Sequence, residues 1–433
     1  MANLKFSQFQ EQTDPANVQF VVGYNGTDNV RIDPANLGGG ARDLNELTDV
    51  LIDGDSAYFV NIPAGLSGNP IGNIVIGSGA ANSMTTATEN VVIGVNALAS
   101  DSGSSNANRN VIIGYAASQT STTQVQGVVA IGWEASKANG NAFGGTHIGY
   151  RAADSSSSKY RSTSVGYNAH GGSATAQDCV AIGNGASAYS TGTINGSTVV
   201  GFEAGSRSDA QQTTLIGFKA SKDNQVAGVV SLGYEAGYSQ TTGTENTYLG
   251  WSAGYAVNVG SHNTVVGYEA GYASLSGDSN TLIGASAGYS GSNNLITGSN
   301  NIIIGHDASP SAFDADNEIT LGNSSIASLR CQVQTISSLS DSRDKTNIKS
   351  STYGLDFVNK LNPVTFDWNT RDGAKVGDKD LGFIAQELQV VDDENLQLVY
   401  DKNPDKLEAS YGRLIPVLVK AIQELKAEIE LLK

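Results

Sequence analysis

The chain has 433 residues, long enough for several domains, with 51 glycines, 15% charged residues and 7% aromatics. A formal net charge of −17 excludes the basic surface that nucleic acid or an anionic membrane would require. The two cysteines, Cys179 and Cys331, stand in no CxxC or Cys/His spacing, so neither a metal nor a cofactor is expected, and no apolar run approaches a membrane span.

The chain opens MANLKFSQFQEQTDPANVQF, with neither a basic n-region nor an apolar h-region, so assembly in a host cytoplasm is expected. Residues 1–70 hold Pro15, Pro34, Pro63 and Pro70, the short β-like runs Val18–Val22 and Asn29–Ile32, and the segment Asp43–Ile52. They resemble the amino-terminal segments of phage structural proteins that attach a fibre to the tail. That resemblance implies a partner in the phage tail or baseplate.

From residue 71 to 325 an apolar-apolar-Gly core recurs. Its glycine stands at 77, 94, 114, 132, 149, 166, 183, 201, 217, 233, 250, 267, 284, 305 and 322, at intervals of 16 to 21 residues. Runs such as Val-Val-Ile-Gly are strand material too short for helices. Three residues after the glycine stands alanine in fourteen of the fifteen units, as a narrow interior would require. Four residues before it asparagine is common, at Asn73, Asn90, Asn110, Asn246, Asn263, Asn280 and Asn301, and stacked asparagines can form a ladder. All eight prolines fall outside residues 71–309, where every amide would serve a ladder. The expectation is a Gly-rich parallel β-solenoid of about fifteen rungs, about 70 Å long if each repeat is one rung.

Aromatics often follow the glycine, and Glu134, Glu203, Glu235 and Glu269 recur at one register position. Repetition at one position reads as a solvated stripe, since a catalytic pair would break the repeat. Cys179 occupies a repeat position and reads as a packed thiol. His147, His170, His262 and His306 occupy unrelated positions, so no shared site is expected of them. The insertions Ser100–Asn108 and Asp154–Lys159 read as loops available for receptor contact.

Through motifs such as Asn280–Gly288 (NTLIGASAG) the repeat resembles the heads of trimeric autotransporter adhesins, the YadA-like left-handed parallel β-roll. The units here run near 17 residues, longer than that family's usual rung. In that family three rolls pack side by side.

After a linker at 326–339, glycine thins out, charge becomes dense, and Phe357, Phe366, Trp368 and Phe383 offer a small core. Four motifs follow in order: Ser340–Ile348 (SDSRDKTNI), Leu361–Trp368 (LNPVTFDW), Gly382–Glu387 (GFIAQE) and Tyr411–Leu425 (YGRLIPVLVKAIQEL). They resemble the intramolecular chaperone of phage tail spikes and fibres, the peptidase S74 family. Asp344 replaces that family's usual apolar residue, and its proline after Gln-Glu is absent near Val390–Val391. The resemblance implies a small α+β domain over 340–433 that cuts the Leu339–Ser340 bond, with Ser340 as nucleophile and Lys345 as base.

A terminal helix over 411–433 places Tyr411, Ile415, Leu418, Ile422, Leu425, Ile429 and Leu432 on a coiled-coil seam. Ile at a and Leu at d alone favours two strands, so the trimer is implied by the resemblances. Pro416 marks a late start or a kink.

Together these features point to a homotrimeric phage tail fibre in the virion, binding a bacterial surface receptor, either glycan or outer-membrane protein, and matured by autocleavage of its chaperone. No turnover of an external substrate, nucleic-acid binding or membrane insertion is expected. The alternatives are a bacterial trimeric surface adhesin and a glycan-degrading tail spike. The first lacks a signal peptide and membrane barrel, and the second lacks a non-repetitive acid/base pair.

Overall fold

A computed structural model describes residues 21–24, 29–32, 50–53, 56–59, 71–99, 107–120, 124–138, 141–154, 158–172, 175–209, 211–274, 276–291, 293–332, 336–371, 373 and 375–433. Of residues 21–59 only strand backbone is described. Val21–Tyr24 pairs antiparallel with Asn29–Ile32, and Val50–Asp53 with Ser56–Phe59. The remainder of the runs expected within residues 1–70 lies outside the described residues. The chain forms two compact units, Met1–Gln212 and Thr213–Lys433.

Each unit carries a parallel β-solenoid. In the first, Ser56–Phe59 leads into Ile74–Ile76, Val91–Ile93, Val111–Ile113, Val129–Ile131, Thr146–Ile148, Thr163–Val165, Val180–Ile182 and Thr198–Val200, each pairing in register with the next. In the second, a ladder of the same kind runs through Thr214–Ile216, Val230–Leu232, Thr247–Leu249, Thr264–Val266, Thr281–Ile283, Ile302–Ile304 and Ile319–Leu321. A three-residue strand turns one side chain inward and two outward. Accordingly Val92, Ile112, Leu215 and Ile303 are buried while their neighbours are half-buried or exposed.

The glycine column follows from the stacking. Gly77 has φ +131°, and a Cβ there would lie 2.6 Å from the Gly94 carbonyl oxygen. Only glycine allows both that backbone and that approach. The expected alanines, from Ala80 to Ala308, are buried.

Asparagines form the expected ladder. Asn263 N–H donates to Asn246 Oδ1 (2.8 Å) and Asn280 N–H to Asn263 Oδ1 (2.9 Å). Their carboxamide nitrogens reach the carbonyls of Gly277 and Gly298 (both 2.9 Å). The side chain thereby satisfies carbonyl groups that would otherwise be buried unpaired. In the first unit the column changes to Val128, Gly145, Ser162 and Cys179. There a second parallel ladder takes over, formed by Gln124–Gln126, Asn141–Phe143, Lys159–Tyr160 and Ala176–Gln177. Cys179 is the expected packed thiol, donating to the carbonyl oxygens of Ile194 and Gln177.

Two further columns face each other across the interior: the middle strand residue and the residue four after the glycine. Tyr248 occupies the first, and a Cβ on Gly237 in the second would come within 2.6 Å of its ring. Ser231 faces Ser221 at 2.6 Å. Two of the four histidines lie in these columns. His147 belongs to the strand column and His170 to the opposite one, and both are buried together with Lys159. His147 Nδ1 is 3.0 Å from Ser136 Oγ, and His170 Nδ1 is 2.8 Å from Ser164 Oγ.

Beyond the last rung lies a small β/α region. The hairpin Val364–Asn369 with Val376–Gly382 follows helix α1 (Leu355–Val358) and precedes α2 (Ala385–Val391). Val399–Tyr400 pairs with Glu408–Ala409 before α3 (Leu414–Leu431). The core is Phe357, Leu388, Leu396, Leu398, Leu414 and Val417, with Phe383 partly buried against it. Phe366 and Trp368, expected in that core, instead pack edge-on to each other on the hairpin at 5.2 Å. The strand's alternation turns them to the same side. The expected helix over 411–433 begins at Leu414, after the 3-10 turn Tyr411–Arg413, so Pro416 stands in its first turn, where a missing N–H breaks no helical bond.

Candidate functional site

Ser340 and Lys345 are brought together by local structure. Asp341 caps a single 3-10 turn, Ser342–Asp344, by accepting the Arg343 N–H at 2.8 Å. The Arg343 guanidinium, 2.6 Å from the same carboxylate, holds the Asp341 carboxyl below its ordinary range. The turn closes with Lys345 N–H donating to the Ser342 carbonyl at 3.3 Å. Folding the chain back over this turn sets Lys345 Nζ 2.7 Å from Ser340 Oγ, donating to it. Leu339, the residue before Ser340, is exposed.

This arrangement unites the nucleophile and the base that the sequence motif implies. Taking a proton from Ser340 requires a neutral lysine, which desolvation favours. Both side chains are exposed in the single chain. Asp344, which departs from the family pattern, is exposed on the turn and occupies no core position.

Residues 340–397 match the family model for peptidase S74, the chaperone of endosialidase. The match begins at Ser340 itself. No curated protein and no solved structure matches the chain.

Helix α3 follows the S74-matched segment with two distinct faces. Leu414 and Val417 belong to the local core, and Ala421 is buried as well. The expected seam residues Tyr411, Ile415, Leu418, Ile422, Leu425, Ile429 and Leu432 are all at least 45% exposed. The solenoid strands likewise turn apolar side chains outward, among them Ile74, Ile182, Leu232, Leu249 and Ile304.

Aromatic rings line up from rung to rung, some exposed and some half-buried. Tyr115 lies 4.1 Å from Trp133, Tyr234 lies 4.2 Å from Trp251, and a second row runs Tyr238, Tyr255, Tyr272 and Tyr289. Glu134, Glu203, Glu235 and Glu269 occupy left-handed corners with φ near 50°, so their repetition follows the backbone path. Among the described residues no cluster could hold a metal, and no helix is long and apolar enough to cross a membrane.

Of the two insertions expected to offer loops, residues 100–106 and 155–157 lie outside the described residues. Lys159 is corrected: it is buried in the second ladder, and burial pushes its ammonium down to about 8. The sequence reading also passed over Glu318. The available signal was its place in the asparagine column, where a carboxylate breaks the pattern.

Proposed function

We propose that the chain is the protomer of a homotrimeric phage tail fibre whose segment 340–433 is a self-cleaving intramolecular chaperone. The observation that carries this reading is the 2.7 Å contact between Lys345 Nζ and Ser340 Oγ at the start of the S74 match. Ser340 Oγ attacks the Leu339 carbonyl carbon while Lys345 takes the hydroxyl proton. The Leu339–Ser340 C–N bond breaks, the Ser340 nitrogen leaves as an amine, and the acyl group becomes an ester on Ser340 Oγ. Water then hydrolyses the ester, giving a Leu339 carboxylate and regenerating the hydroxyl.

Trimerisation is supported by the unpartnered seam of α3 and the outward apolar columns of both solenoid segments. Residues 1–70 attach to the phage tail or baseplate, and the shaft presents its surface to a bacterial glycan or outer-membrane protein, so the mature protein resides in the virion. Intact-mass analysis and fragment-end sequencing test the processing step. Wild type should give residues 1–339 and 340–433, while Ser340→Ala and Lys345→Ala stay whole. A cut in Ser340→Ala, or one at another bond, overturns the mechanism.

A further inference from the structure

The parallel ladder of the second unit ends at Ile319–Leu321. Glu318 stands there in the column that asparagine fills at Asn246, Asn263, Asn280 and Asn301. Its N–H continues the ladder, donating to Asn301 Oδ1 at 2.9 Å. Its side chain does something else. The carboxylate accepts the Ser311 N–H (3.0 Å), the Ser311 hydroxyl (2.6 Å) and the Thr320 hydroxyl (2.8 Å). The remaining donor comes from the C-terminal region: Tyr400 Oη donates to Glu318 Oε2 at 3.2 Å.

A second residue of that region joins the contact. Asn403 Nδ2 donates to the Ser311 carbonyl at 2.9 Å, and Tyr400 Oη lies 3.1 Å from Ser311 Oγ. Tyr400 is fixed by its strand, which pairs with Glu408–Ala409. Burial pushes its phenol up, keeping the donor protonated. The covalent route between shaft and globule contrasts with this contact, since Leu329, Ile336 and Leu339 along it are 74%, 97% and 80% exposed.

We propose that Tyr400 and Asn403 form a docking plug on the last rung, at Ser311 and Glu318, which holds residues 340–433 to the shaft independently of the peptide chain. After scission at Leu339–Ser340 the chaperone fragment therefore stays bound; that consequence rests on the self-cleavage reading, whereas the plug itself does not.

The test separates the two. A specific-protease recognition sequence is placed in the linker 326–339 of the full chain carrying Ser340→Ala, and the purified protein is nicked there. On gel filtration at micromolar concentration the two fragments should co-elute. In the same chain with Tyr400→Phe and Asn403→Ala, dissociation should be about tenfold faster or more, the loss of one charge-assisted and one neutral hydrogen bond. Both substitutions lie on the globular side, so the solenoid remains intact, and Glu318→Gln approaches the contact from the shaft side. Fragments that separate at once in the nicked parent overturn the plug. Fragments that stay together equally well in the double variant overturn its assignment to these residues.

Discussion

Gly284 has φ +131°, and a Cβ on it would lie 2.5 Å from the Gly305 carbonyl oxygen. Gly284→Ala therefore combines a left-handed backbone with a clash against the next rung's main chain, which cannot swing aside as a side chain can. The expected loss is about 3 kcal/mol or more, read as a lower denaturant midpoint than that of Ala285→Ser at the next position. Such glycines were legible because repetition makes a backbone requirement visible. So were the alanine and asparagine columns. The facing columns were not, since their rule concerns combined volume: Tyr248 faces glycine, Ser231 faces serine, and His147 approaches Ser136. These columns vary more than the glycine and alanine columns, so two histidines 23 residues apart in sequence, one in each column, looked unrelated.

At the scale of one element, the stretch from Ser136 to Cys179 differs from the rest of the solenoid. Burial holds the His147 and His170 imidazoles down at about 3, with Lys159 lowering both further. His170 Nε2 finds no hydrogen-bond partner. Unfolded, these groups titrate near 6.5. Their folded values are depressed, and for a base this means that the unfolded chain binds more protons between about 3 and 6.5. Stability is therefore full above pH 6.5 and falls as pH drops toward 3, by roughly 3 kcal/mol per histidine at pH 4. Lys159, titrating near 8 in the fold, changes nothing further in this range because it is charged on both sides of the equilibrium. Hydrogen exchange should show the rungs of residues 141–182 losing protection on acidification before those of 247–283. His147→Val with His170→Ser, residues that other rungs carry in those columns, should remove the difference. Equal acid sensitivity of both segments, or no effect of the double substitution, would contradict this account.

For the whole molecule, the S74 region illustrates what a sequence motif supplies and what it withholds. The motif implied Ser340 and Lys345, five residues apart, and the 3-10 turn explains how that spacing makes a contact. The heptad spacing picked out the residues of one face of α3, all of them exposed, but did not show that Leu414 and Val417 on the other face join the local core. Leu418 and Ile422 belong to the exposed face. That division allows the proposed assembly to be disturbed without unfolding the globule. Leu418→Asp with Ile422→Asp places charge on the exposed face, leaving Leu414 and Val417 in the core with Phe357 and Leu388. If three chains must meet before the dyad is desolvated, this variant should remain monomeric by light scattering. The proposed self-cleavage should then slow by about 100-fold, the low end of what a competent general base contributes. The far-ultraviolet circular dichroism of its isolated 340–433 segment should match that of the same segment without the substitutions, marking the globule as folded. A monomer that cleaves at the wild-type rate would mean that the exposed pair is already competent, and that processing is not coupled to assembly.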